Sequence, residues 1–200
     1  MPPVAVKSRK LLLILAEAAR RIETLAVMPV ADIIESGLDG SHIIPLVTQE
    51  QLGMLRALPF EPRLVEMVGG DGTHYRQIRS WFPESLVCLR LPFNDQLQEG
   101  LLRYADSGIR VFHLVANYHG RGVNGEFMLE LIRQAHQTFV EAGCRDEVTL
   151  LASGGIIAAE HVPKAIACGL DAVALDTALL VALQARFAGG CIDPETSQFY

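Results

Sequence analysis

The sequence predicts an α/β fold in which strands of a parallel sheet alternate with helices, and three observations carry that expectation. Short runs of β-branched and apolar residues recur from about residue 42, longer stretches of helical period separate them, and turn residues stand at the joints. A chain of 200 residues, 50% hydrophobic and 20% charged, has enough apolar material for one sizeable core, so a single domain over 1–200 is expected.

Taken in order, the apolar run Leu11 to Leu15 continues into Glu17, Arg20, Arg21 and Glu23, the pattern of an amphipathic helix rather than a secretion signal. A weak strand pattern covers 26–30. Stronger strand patterns cover 42–47, 63–68, 86–91, 109–116, 148–153 and 172–175. Helical periods fall between them at 49–57, 73–82, 94–107, 126–142, 158–168 and 178–187, making six βα units. Met54, Leu55, Leu101, Leu102, Met128, Leu131 and Ile132 take core spacings on these helices. Thr48 stands where a helix cap needs an acceptor, and Asn94 opens a helix with Asp95 in its first turn. Gly108, Gly143 and Gly169 follow helices where a left-handed residue is needed. Strands joined in this way by helices run parallel through right-handed crossovers. Both a closed barrel and an open doubly wound sheet satisfy that rule, and the period does not choose between them.

Charge and cysteine usage narrow the partners. The 17 Lys and Arg residues are scattered and the net charge is −6, which opposes nucleic acid and acidic lipid as partners and leaves a small-molecule substrate. Nothing at the N-terminus reads as a signal peptide, so a cytoplasmic location is expected, with no membrane as partner. Cys88, Cys144, Cys168 and Cys191 form no C-x-x-C pair and read as free thiols packed as small hydrophobes. No metal site is expected.

The chemistry concentrates near the C-terminus. One strand ends in Ser153-Gly154-Gly155-Ile156 and a second in Asp176-Thr177, each at a helix start and about 22 residues apart. Glycines at a strand end leave backbone N–H groups unshielded, and such groups attract a dianionic phosphate. Upstream, the strand at 86–91 places Cys88 and Arg90 on one face by simple alternation. The strand at 109–116 runs into Asn117-Tyr118-His119-Gly120-Arg121-Gly122.

These motifs resemble the last units of the FMN-binding (β/α) barrels that include the glutamate synthase central domain, inosine monophosphate dehydrogenase and type 2 isopentenyl diphosphate isomerase. The likeness lies in Ser-Gly-Gly-Ile at 153–156, Val-x-Lys-Ala-Ile at 162–166 and Gly-x-Asp-Ala-Val at 169–173. The run Ala178 to Leu183 makes it most similar to the glutamate synthase type, over roughly 85–190. The resemblance implies a TIM-type (β/α) barrel with FMN as cofactor, acting as a flavin-dependent oxidoreductase domain. It implies that Ser153, Gly154, Gly155, Asp176 and Thr177 surround the flavin phosphate and that Gly120 lies against the cofactor. Arg90 and His119 would then be the catalytic pair, Arg90 facing the ring and His119 covering it.

A complete barrel takes about 250 residues, and this chain opens on a helix. The implied barrel is therefore shortened at its N-terminal end, to be completed by a partner chain or by a homo-oligomer.

Several readings stay open on the residues themselves. Arg90 either faces a flavin or pairs with a carboxylate at the sheet end, and His119 is either an active-site group or a solvated loop histidine. His113, inside its strand, reads as a satisfied core residue. The family carries Gly where this chain has Asp176, and a carboxylate about 4 Å from a phosphate costs about 1–4 kcal/mol. Either Asp176 points away or the cup holds no phosphate, in which case the chain is a non-catalytic barrel remnant used for binding or assembly. Cys191 stands alone, so no iron–sulfur cluster is expected. Finally, Gly69-Gly70-Asp71-Gly72-Thr73 resembles the nucleotide-phosphate signature of NAD kinases and diacylglycerol kinases, which keeps a kinase reading beside that of a glycine-rich barrel loop.

Overall fold

A computed structural model describes residues 8–94 and 96–185, with the backbone of two short strands beyond them. Contacts divide the chain into two compact units, Lys7–Arg90 and one that takes in Leu91–Tyr200.

In the first unit, helix α1 (Arg9–Arg21) starts at Ser8, whose hydroxyl accepts from the Leu11 N–H at 3.2 Å. It buries Leu12, Ala16 and Ala19, spaced four and three apart, so one face turns inward. Leu12 and Ala16 share a core with Met28, Ile33, Leu38 and Ile43. The weak strand pattern is real: β1 (Ala26–Pro29) pairs in parallel with β2 (Ile43–Val47). Every residue of β2 is buried, which is why its sequence is a continuous apolar run without alternation. A helix the sequence did not announce, α2 (Val30–Ser36), joins them and ends at Gly37 with φ 64°. Its β-branched opening reads as strand, whereas the burial of Val30 and Ile33 one turn apart decides for helix.

Strand β3 (Leu64–Val68) pairs with β2 and with β4 (Leu86–Pro92), again in parallel. Between β2 and β3 the expected helix at 49–57 is a 3-10 helix, Gln49–Ala57. Helix α3 (Gly72–Trp81) connects β3 to β4 and is capped by Asp71.

In the second unit, α4 (Leu97–Asp106), β5 (Val111–Val115), α5 (Met128–Glu141), β6 (Thr149–Ser153), α6 (His161–Ala167), β7 (Ala172–Val173) and α7 (Thr177–Ala182) follow the predicted order. Helix α4 begins three residues later than expected, with Asn94 accepting from the Gln96 N–H at 3.2 Å. Asp95 lies outside the described residues. Helix α7 stops at Ala182, and Phe187–Ala188 instead forms a short antiparallel pair with Gln198–Phe199.

Strand β6 pairs in parallel with both β5 and β7. The Phe112 and Phe139 rings meet with centroids 5.5 Å apart, which fixes the helix-covered side of this sheet. Phe112 and Leu114 of β5 share that side with their register partners Leu150 and Ala152 of β6. By alternation, His113, Val115, Leu151 and Ser153 take the opposite side. Arg145 then clips the β6 entrance: its guanidinium donates to the carbonyls of Val148 and Gly169 and to Asp171 Oδ2, which also accepts from the Leu150 N–H at 2.7 Å. Asp171 of the Gly-x-Asp-Ala-Val motif is therefore a structural residue.

Candidate functional site

The C-terminal ends of β5 and β6 bring two loops into backbone contact. After β5, Asn117 organises its own loop: Oδ1 accepts from the His119 N–H at 2.9 Å and the Arg121 N–H at 3.1 Å. Gly120 donates to the Asn117 carbonyl, and its own carbonyl accepts from the Met128 N–H, tying the loop to the start of α5. After β6, Gly154 and Gly155 take φ of 100° and 68°. A Cβ on Gly154 would lie 2.3 Å from the Ala116 carbonyl oxygen, and one on Gly155 would lie 2.5 Å from the Gly120 nitrogen. Both glycines are thus required by the approach of one loop to the other, before any ligand is considered.

The two loops and the start of α6 enclose a cavity of about 510 Å³. His119, Gly120 and Gly155 line it with Phe127, Met128 and Ile157, and Lys164 and His161 add polar nitrogen atoms. The structure thus brings His119, Gly120 and Gly155 together. His119 itself is exposed, and its backbone N–H holds it to Asn117. Lys164 and Asn117 stand in the motifs without an expected role; the signal for Asn117 is a side-chain acceptor three residues before Gly120.

The phosphate cup has different geometry from the one the motifs imply. Asp176 is 5% exposed and turns its carboxylate onto the next residue, with Oδ1 accepting from the Thr177 N–H and, at 3.0 Å, from the Thr177 hydroxyl. The Thr177 hydroxyl oxygen in turn accepts from the Gly155 N–H at 3.2 Å. Three donors suited to a phosphate are committed to the protein. A dianion there would meet a buried carboxylate, so phosphate does not fit the cup as it stands. Ser153 presents the opposite observation: its hydroxyl is buried on the sheet side facing away from the helices, without a hydrogen-bond partner. Buried hydroxyls are rarely left so, which makes this one an orphaned polar atom at the strand end.

Arg90 belongs to the other unit. Its guanidinium donates to Glu66 Oε1 at 2.6 Å, with the two side chains 16% and 3% exposed. The carboxylate partner envisaged for Arg90 is therefore present. Cys88, on the same face, is buried, and that burial, with Glu66 nearby, pushes its thiol well above the usual range, so it is no nucleophile at neutral pH. Asp71 of the Gly-Gly-Asp-Gly-Thr motif accepts from the Thr73 and His74 N–H groups, which lowers its carboxyl below the usual range. Its carboxylate acts as a helix cap.

Cys88, Cys144 and Cys168 are free thiols, and Cys191 lies outside the described residues. Among the described residues no helix is long and apolar enough to cross a membrane.

Comparison with known proteins places these features in context. Residues 118–194 match the family described as a conserved region in glutamate synthase. The archaeal glutamate synthase (NADPH) of Methanocaldococcus jannaschii is 47% identical over 60 residues, 30% of this chain and 12% of that protein. A glutamate synthase large subunit-like protein of Rhizobium meliloti is 47% identical over 55 residues, 28% of this chain and 12% of that protein. The matched stretch is thus a small part of either relative.

Among solved structures, a FabK mutant from Thermotoga maritima superposes with TM-score 0.58 at 13% identity, covering 82% of this chain and 56% of that one. Inosine 5′-monophosphate dehydrogenase from Legionella pneumophila gives 0.54 at 17% identity, over 74% and 48%. A flavocytochrome b2 mutant with pyruvate bound gives 0.53 at 13% identity, over 76% and 47%. The fold class is that of a (β/α) barrel, with seven parallel strands among the described residues.

Proposed function

We propose that this chain is a flavin-oxidoreductase-type domain whose loops after β5 and β6 form the ligand-facing end, and that a small molecule is its substrate. One observation carries the reading: the glutamate synthase match falls on the segment that contains both residues 118–122 of the loop after β5 and the Ser153-Gly154-Gly155 turn, which meet around one cavity. The orphaned Ser153 hydroxyl at the strand end supports a polar ligand there. In this reading the protein binds and orients, and the electron transfer belongs to the flavin. His119 and Gly120 are the groups assigned to the ring side. FMN held through its phosphate by Gly154, Gly155 and Thr177 is the finer form, and the Asp176 network opposes it. The remaining barrel units would come from another segment or chain.

The test is the visible spectrum of the purified chain, recorded before and after adding FMN and riboflavin. Flavin absorption bands that persist through gel filtration support the reading. A colourless protein that retains neither compound sinks it.

A second reading, a barrel remnant serving binding or assembly, is favoured by one specific observation, the closure of the cup by Asp176 and Thr177. It predicts that neither flavin is retained.

A further inference from the structure

The cup that the motif implies for phosphate is satisfied from within. Asp176 Oδ1 takes the Thr177 N–H and the Thr177 hydroxyl, and the Thr177 oxygen takes the Gly155 N–H. The bond from the Gly155 N–H to the Thr177 hydroxyl oxygen joins the ends of β6 and β7, and the Asp176 carboxylate holds that hydroxyl, at a place where Asp176 is 5% and Thr177 4% exposed. The floor is closed as well, since the spaces beside Gly154 and Gly155 are filled by the backbone of residues 116–120. A phosphate entering here would have to break the Asp176 bonds and then sit beside the carboxylate it had displaced, in a setting that screens charge poorly.

We propose that Asp176 is a specificity-determining residue that makes this site discriminate against phosphorylated ligands, its carboxylate standing where the ligand's phosphate group would be held. The proposal rests on the site of the flavin reading, and its consequence is directional. Between two ligands that differ only by a terminal phosphate, the chain does not favour the phosphorylated one. The orphaned Ser153 hydroxyl lies outside this network.

FMN and riboflavin are such a pair, and the experiment titrates both into the full chain and into Asp176→Gly. In the parent, FMN binds no more tightly than riboflavin. In Asp176→Gly, FMN gains about tenfold while riboflavin is unchanged. A parent that prefers FMN by about tenfold, or an Asp176→Gly protein that gains no preference, overturns the proposal.

If neither flavin binds either protein, the flavin reading fails, and inorganic phosphate decides this one by thermal shift. Stabilisation of Asp176→Gly but not of the parent supports it, and the same response in both, including none, overturns it. Should Asp176→Gly not fold, Asp176→Asn replaces it in each arm. That variant removes the charge and keeps an acceptor, so a smaller gain in the same direction is expected, and no gain overturns the proposal.

Discussion

Side chains at this site are defined by what they already bond. Thr177 stands in the motif as a phosphate ligand, yet its N–H and hydroxyl both serve Asp176. Arg90 likewise stands as a ring-facing cation, yet it holds a carboxylate that is 3% exposed. Replacing Arg90 by Ala removes the guanidinium from that buried carboxylate, and a loss of about 3–5 kcal/mol is expected in urea unfolding. Gly155 is constrained by φ 68° and by the Gly120 backbone together. Gly155→Ala should therefore cost more than about 1 kcal/mol and should also shift the amide resonances of residues 117–122, whereas a change confined to its own turn would contradict the contact. Neither Arg90's partner nor Thr177's bond with Gly155 is visible in the sequence, because both bonds join residues through folding: Glu66 lies on a neighbouring strand, and Gly155 on another strand's turn.

At the scale of elements, patterning located strands β1 to β7 and most helices but not the short pair at 187–188 and 198–199, and its errors have two causes. Short elements carry too few residues for a period to show, and α2, with Val30, Ile33 and Ile34, has the composition of a strand. Helix α7 stopped early for a different reason, since Phe187 pairs with Phe199 across residues that no local period relates. Two elements give direct tests. Phe139 anchors α5 on Phe112, and Phe139→Ala should lose about 3–5 kcal/mol by chemical denaturation. In α1, Glu17 accepts from Arg20 and Arg21, and these hydrogen bonds lower its carboxyl from 4.5 to about 2. A folded value below the unfolded one means that its contribution is complete above the unfolded value and is lost as pH falls through the folded one. Carbon-detected NMR titration should place Glu17 near that low value in the parent, and near the ordinary carboxylate range once Arg20 and Arg21 are both replaced by Gln.

For the molecule as a whole, the net charge of −6 and the scattered basic residues set the expectation for partners. The chain should be retained by an anion exchanger at neutral pH and show no salt-dependent affinity for DNA in a fluorescence titration. The α/β class, the order of strands and helices, and the likeness of the C-terminal region to glutamate synthase were all legible from residues alone. Each is written locally, in apolar runs, in helical period, and in motifs such as Ser153-Gly154-Gly155. The tertiary structure decided what those motifs do. It made Asp71 a helix cap, Asp171 a clip for Arg145, and Gly154 and Gly155 the contact surface for a neighbouring loop. It also turned Asp176 inward to occupy the cup. The physical reason is the same in each case: a polar group's role depends on which donors and acceptors folding places within hydrogen-bond reach, and sequence spacing does not contain that distance.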